Sequence, residues 1–320
     1  MRETDPIIRL EGVTKRFGST VAVSDVTFEV ERGRCVGWLG PNGSGKTTLI
    51  RCMLGLARVT AGSIHVRGFA IPKDVRPALQ RVGGIVEEPR FYPYLSGRRN
   101  LEVWAGLTGG DAATRIDWAL ARVDLTERAH SRVKEYSLGM RQRLGVARSL
   151  LTDPELLVLD EPSNGLDPAG MAEFRQMIRS FVEQDGRTVF ISSHLLDEVE
   201  KIADEIAIVQ EGKLVLHGSV ADLVAGGRRV VRVRVDDPGR AEEVLGRLPN
   251  VVAVARRPDG GTLELALEKT DDEGSIAVTR ALVEAGVGVA EIVQESESLE
   301  ERFLDITRGM AASDPAPEPS

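Results

Sequence analysis

Gly40-Pro41-Asn42-Gly43-Ser44-Gly45-Lys46-Thr47-Thr48 follows the apolar run Cys35-Val36-Gly37-Trp38-Leu39 and precedes Leu49-Ile50-Arg51-Cys52-Met53-Leu54. The first segment reads as a short buried strand and the last as a helix. The loop between them fits G-x-x-x-x-G-K-[ST], a pattern with physical meaning only between a strand and a helix. Glycines at 40, 43 and 45 let the backbone curl so that its N–H groups point inward at a phosphate, and the positive end of the following helix adds to that field. Lys46 is expected to reach the β- and γ-phosphates, and the Thr47 hydroxyl to ligand Mg²⁺. The stretch therefore marks a nucleotide site in an α/β domain.

The 320 residues suffice for two domains with proper cores. The formal net charge of −8 argues against nucleic-acid partners, whose binding rests on basic surface. Cys35 and Cys52 are too few for a disulfide framework and read as reduced core residues of a cytoplasmic protein. The four histidines show no metal spacing. No apolar run reaches the ~20 residues needed to cross a bilayer, and the charged N-terminus lacks a signal-peptide core. A membrane connection would have to run through a partner.

Upstream of the loop, Ile7–Leu10, Val21–Val23 and Val26–Val30 alternate as half-buried antiparallel strands do. Thr14-Lys15-Arg16-Phe17-Gly18 between them reads as a turn with an exposed aromatic. Phe17 is either local core or a flat face for a purine, and the phosphate loop tips the reading to the purine. Downstream, Ala61–Gly68 is a strand between glycine turns, and Arg81–Val86 leads into Glu87-Glu88-Pro89. From Ser96 to about Arg132 apolar residues recur at helical steps, so this block reads as a separate lobe with Trp104 and Trp118 in its core.

Ser137 in Tyr136-Ser137-Leu138-Gly139-Met140 is a good N-cap before a helix expected over Leu144–Leu151. Taken alone it is just a capped helix. Leu156-Leu157-Val158-Leu159 is a buried parallel strand with Asp160 and Glu161 at its C-terminal end, where ligands bind in open α/β sheets. Two adjacent acids there need a cation or a catalytic task. Thr188–Ser193 is another buried strand, with His194 in the equivalent place. A hairpin crosses Gln210-Glu211-Gly212. Beyond Ala225-Gly226-Gly227 the order strand, helix, strand, strand, helix, strand predicts a small ferredoxin-like α+β domain. It is followed by a helix Leu299–Arg308 and a disordered tail rich in Pro, Ala and Ser.

In this order the motifs over about residues 7–225 resemble the nucleotide-binding subunit of an ATP-binding-cassette (ABC) transporter. The resemblance implies a P-loop cassette in residues 1–225, with a mixed sheet core, an antiparallel β subdomain and a helical lobe at about 96–150. An accessory α+β domain would span 226–308 and the tail 309–320. The separate cassette, the run Phe91–Gly97 and the C-terminal extension look most like ABC-2-type drug and antibiotic exporter ATPases of the bacitracin and daunorubicin type. That likeness implies an ATPase powering a separate membrane-spanning exporter of drugs, antibiotics or lipids.

The family's roles carry over residue by residue. Phe17 would stack on adenine, and Gly40 to Thr48 would hold the phosphates, Lys46 also serving catalysis. Thr47, Glu87 and Asp160 would surround Mg²⁺. Glu161 would be the general base and His194 would steady the attacking water. Ser137, Leu138, Gly139 and Met140 would act in trans on ATP held by a second copy, with Asp167 coupling the two sites. The resemblance thus implies ATP and Mg²⁺, a head-to-tail homodimer, a transmembrane permease partner and a place at the cytoplasmic face of the membrane. It departs from the family where Glu87 replaces the usual Gln and where the signature reads Ser-Leu-Gly-Met rather than Ser-Gly-Gly-Gln. Because Glu161 and His194 remain, both sites of a homodimer are expected to hydrolyse ATP. The rival readings are an importer ATPase, a soluble ABC protein acting on ribosome or DNA, and a cassette that only binds nucleotide.

Overall fold

A computed structural model describes residues 5–225, 229–257, 260–267 and 272–296. The expected helix 299–308 and the tail 309–320 lie outside the described residues. The chain divides into two compact units, Met1–Val220 and Ala221–Ser320.

In the first unit the alternating segments pair as expected. Strands β1 (Ile8–Phe17), β2 (Thr20–Val30), β4 (Ala61–Val66) and β5 (Phe69–Ile71) form an antiparallel sheet of order β2-β1-β4-β5. Thr14–Phe17 belong to β1 rather than to a turn. Register shifts let the strand bend while it keeps pairing, and the chain reverses only at Gly18-Ser19. The inner face of this sheet, with Val23, Phe28 and Ile64, shares one core with Trp38, Leu49 and Phe190 of the second sheet.

That second sheet has the order β10-β9-β3-β8-β7-β6, built from β3 (Cys35–Leu39), β6 (Val82–Ile85), β7 (Leu156–Asp160), β8 (Thr188–Ser193), β9 (Glu205–Gln210) and β10 (Lys213–Ser219). All its pairs are parallel except the β9–β10 hairpin. Strands β3, β7 and β8 are buried at every residue, as unbroken apolar runs between covering layers should be. Helices α6 (Pro168–Glu183) and α7 (Leu196–Glu200) join β7 to β8 and β8 to β9, while α1 (Lys46–Met53) and α2 (Val75–Leu79) carry the chain from β3 to the antiparallel sheet and back to β6. Helix α7 packs so closely on β3 that a Cβ at Gly37 would stand 2.3 Å from Val199 Cγ1.

The lobe holds α3 (Gly97–Thr108), α4 (Ile116–Arg122) and α5 (Leu138–Leu150). Helix α5 starts six residues before the expected Leu144. Ser137 Oγ accepts the Met140 N–H at 3.2 Å and so opens the helix through its polar, glycine-containing first turns. The two tryptophans are not the lobe's core. Trp104 is half-buried with the Arg148 guanidinium 4.7 Å from its ring centre, and Trp118 is exposed beneath Arg187 at 5.4 Å. A flat ring under a guanidinium is partly covered while its face attracts the cation, and burial lowers the Arg148 pKa below its ordinary value. Leu101, Ile116, Leu120 and Val123 form the interior instead.

At the N-terminal end of β7, Glu155 receives Arg32, Arg67 and Arg81, while Asp153 receives Arg81 and Arg187. Burial pushes the Glu155 carboxyl up, but the hydrogen bonds and charges of the surrounding arginines outweigh it and leave its pKa lowered. Both cysteines are free and buried, and burial with Asp204 nearby pushes Cys35 up to about 12.

Helix α8 (Val220–Ala225) is followed in the second unit by β11 (Arg229–Val235), α9 (Pro238–Leu245), β12 (Val251–Arg256), β13 (Thr262–Leu267), α10 (Asp272–Glu284) and β14 (Val289–Ser296). The antiparallel sheet runs β12-β13-β11-β14, the ferredoxin-like arrangement. Val231, Val233, Leu263 and Leu265 alternate inward against Leu245 and Leu282 of the two helices. Among the described residues no helix is long and apolar enough to cross a membrane.

Candidate functional site

The loop 40–48 is shaped by its neighbours. Gly40 donates its N–H to Ser193 O at 3.2 Å, and a Cβ there would stand 2.2 Å from Val209 O. Gly45 sits at φ 98° with no room for a Cβ, which would meet Ala22 O at 2.0 Å. It is the N-cap of α1, and no side chain caps the helix, so the first-turn N–H groups are left for a ligand at the positive end of the dipole. Ser44 Oγ is buried in the same loop with no hydrogen-bond partner among the described residues. Lys46 is 5% exposed and folds back to donate to Gly40 O at 2.7 Å and Pro41 O at 3.2 Å.

Sheet register brings the acidic residues to this loop. Leu39 pairs with Ser193 and Asp160 with Ser192, so the ends of β3, β7 and β8 emerge side by side. Asp160 is 4% exposed and its Oδ1 accepts the Ser192 hydroxyl at 2.6 Å. Glu161 turns out of the strand at φ 47°, a left-handed conformation costing about 1–3 kcal/mol for a residue with a side chain. Its N–H is held by Ser192 Oγ at 2.9 Å and its carbonyl accepts the Asn164 N–H at 3.2 Å. This turn aims the Glu161 carboxylate back over the loop, with Oε1 3.1 Å from Lys46 Nζ and Oε2 2.8 Å from His194 Nδ1. An ammonium, a carboxylate and an imidazole thus meet at the mouth of a cradle of backbone N–H groups.

Such a site can hold a polyphosphate and place a carboxylate against water at its terminal phosphorus. Among the described residues no three His, Cys, Asp or Glu side chains converge on one point as a metal cage would need. Asp160 Oδ2 and the Thr47 hydroxyl take no hydrogen bond among the described residues. One carboxylate, one hydroxyl and the ligand's own phosphates suit Mg²⁺, which keeps several waters.

The other expected residues fall in three places. Phe17 ends β1 with 54% of its surface exposed, and Lys15 Nζ lies 4.5 Å from its ring centre. Glu87 is exposed and paired with Arg51 of α1. Ser137, Leu138, Gly139 and Asp167 line a groove of about 410 Å³ whose walls include no residue of the phosphate loop, nor Asp160, Glu161 or His194. There Leu138 lies against Gly165, where a Cβ would stand 2.9 Å from Leu138 Cδ2, and Asp167 caps α6 through a 2.8 Å bond from the Gly170 N–H. Within one chain the two halves of the expected site are therefore separate.

Sequence reasoning passed over Ser192 and Arg51. Ser192 was legible as a hydroxyl closing an otherwise apolar strand; Arg51 gave no signal, because its partner is 36 residues away.

Residues 23–164 match the family described as "ABC transporter". An uncharacterized ABC transporter ATP-binding protein of Bacillus subtilis is 40% identical, covering 94% of this chain and 96% of that protein. A bacitracin transport ATP-binding protein of Bacillus licheniformis is 37% identical over 95% of this chain and 98% of its own length. A solved structure described as the ATP binding subunit of an ABC transporter superposes with a TM-score of 0.60 at 26% identity, covering 69% of this chain and 92% of that one.

Proposed function

The chain belongs to the ABC transporter family as an ATP-binding subunit that hydrolyses ATP, and we propose that it drives a separate membrane-spanning exporter of antibiotic-like molecules. The observation that carries the reading is the Glu161 carboxylate, held between Lys46 and His194 at the open side of the phosphate loop. Lys46 and the first-turn N–H groups of α1 hold the phosphates. Phe17 stacks on the base, and Thr47 and Asp160 would hold Mg²⁺, which would neutralise phosphate charge. Glu87, which pairs with Arg51 here, would be the third ligand of that ion. Glu161 draws a proton from the attacking water, and His194 orients both.

Ser137, Leu138, Gly139 and Asp167 line their own groove, and Met140 follows them in the first turn of α5. The reading therefore assigns them to the ATP of a second copy, in a head-to-tail homodimer at the cytoplasmic face of the membrane beneath a permease. Export rather than import rests on the likeness to the bacitracin transport protein.

Deleting the gene should sensitise the cell to the exported compound. The wild-type chain should restore resistance and Glu161→Gln should not. Loss of uptake, with no change in sensitivity, would place the chain with importers instead.

A further inference from the structure

We infer that Ser192 is a positioning residue for ATP hydrolysis: its one buried hydroxyl fixes the Asp160 carboxylate and the turned backbone of Glu161 together. The inference rests on the reading that Asp160 and Glu161 serve the bound nucleotide. Ser192 is wholly buried at the end of β8, after Val189-Phe190-Ile191. A hydroxyl without solvent is costly unless its donor and acceptor capacities are met, and those of Ser192 are met by the two expected catalytic positions. It donates to Asp160 Oδ1 at 2.6 Å and accepts from the Glu161 N–H at 2.9 Å. The next hydroxyl, Ser193 Oγ, accepts instead from the Leu195 N–H and touches neither acid.

The two bonds have separate consequences. Taking Oδ1 of Asp160 leaves Oδ2 as the oxygen directed to a cation, with one orientation of the carboxylate selected. Strand pairing ends at Asp160, so the Glu161 N–H has lost its ladder partner just where the backbone turns to φ 47°. The Ser192 oxygen supplies the replacement and holds that turn. Without it the Glu161 carboxylate is no longer tied to a position between Lys46 and His194. The chain N–H to hydroxyl to carboxylate is continuous, so a strain at either acid is felt by the other.

Ser192→Ala and Ser192→Thr test this in the full-length protein. The readouts are steady-state ATPase activity, binding of a fluorescent ATP analogue with and without Mg²⁺, and melting temperature. Removing an outer hydrogen-bond partner of a metal-binding carboxylate commonly costs about 10–100-fold in metal affinity or activity. Ser192→Ala should lose kcat on that scale and should lose most of the gain in nucleotide affinity that Mg²⁺ confers. Its affinity without Mg²⁺ should stay within about threefold, since the phosphate loop is untouched. Ser192→Thr, which keeps the hydroxyl, should recover both properties at least in part.

A folded Ser192→Ala protein with wild-type kcat and wild-type Mg²⁺ dependence would overturn the inference. So would equal losses in the Ala and Thr variants, which would mean that side-chain shape and not the hydroxyl matters. Asp160→Asn and Glu161→Gln are run in parallel. If those variants keep hydrolysing ATP, the assignment of the acids fails and takes the role of Ser192 with it; if they are inactive while Ser192→Ala is unaffected, the role of Ser192 alone fails.

Discussion

Glu161→Gln should abolish hydrolysis and also tighten ATP binding. The Lys46 ammonium donates to Gly40 O at 2.7 Å and Pro41 O at 3.2 Å and is ion-paired with Glu161 Oε1 at 3.1 Å. ATP must take Lys46 from at least one of these. Two unit charges about 3 Å apart at the edge of a protein attract by a few kcal/mol before the cost of desolvation, and neutralising the carboxylate removes that attraction, a net change of about 1 kcal/mol. The variant therefore holds Lys46 less firmly by about 1 kcal/mol, which converts to about fivefold tighter ATP binding. Relief of repulsion between the carboxylate and the γ-phosphate acts in the same direction.

The assay is titration of a fluorescent, slowly hydrolysed ATP analogue into wild-type, Glu161→Gln and Glu161→Ala proteins. Protein is kept dilute enough that sizing shows single chains, so that trapped dimers do not enhance the apparent affinity. Dissociation constants should fall in the order wild type, Gln, Ala, with the weakest binding in the wild type. Equal or weaker binding by both variants would refute the argument that Glu161 competes for Lys46. Wild-type turnover in the Gln variant would refute its role as general base.

Three further outcomes follow from the geometry. Phe17→Ala should weaken ATP by about 1–3 kcal/mol, the usual loss when an aromatic no longer stacks on a base, and should leave binding of inorganic triphosphate unchanged in the same titration. Glu87→Gln should keep ATPase activity within about tenfold and leave the melting temperature unchanged, since its exposed pair with Arg51 is worth about 0–1 kcal/mol. Glu155→Gln should cost about 1.5–3 kcal/mol in urea unfolding at neutral pH. Because the folded Glu155 carboxyl lies below its ordinary value, its contribution is complete above the ordinary carboxylate pKa of about 4.3 and is lost as pH falls through the folded value. The gap between wild type and variant should therefore close in acid; a gap that widens on acidification would contradict the arginine clasp.

The parts legible in sequence were those where local pattern and tertiary role coincide. The phosphate loop announces itself because Gly40 and Gly45 are demanded by packing and backbone angle alike, and β7 and β8 because complete burial forces unbroken apolar runs. The start of α5 was missed because Leu138-Gly139-Met140-Arg141 carries no apolar period; only the Ser137 cap marked it. Trp104 and Trp118 looked like core because hydrophobic spacing is blind to guanidinium groups, which arrive from positions 148 and 187. The pairing of Glu161 with both Lys46 and His194 was not readable either. It depends on the register of three strands and on one backbone angle, neither of which leaves a trace in residue order. The Ser-Leu-Gly-Met departure acquires a physical reading: Leu138 fills the space above Gly165, so the substituted side chain is packed within its own chain.

The placement of the three tryptophans also gives the molecule its own optical reporters. Trp38 is sealed between Phe28 and Phe190 behind the phosphate loop, with its indole N–H unbonded among the described residues. Trp104 lies beneath a cation of its own lobe, and Trp118 beneath one contributed by the segment leading into β8. Emission from Trp38 should be blue and indifferent to iodide, whereas Trp118 should be red and readily quenched. If nucleotide turns the lobe against the sheet, the Arg187–Trp118 stack opens and the long-wavelength emission changes while the Trp38 band stays put. A single spectrum of the unlabelled chain thus separates motion of the lobe from change in the sheet.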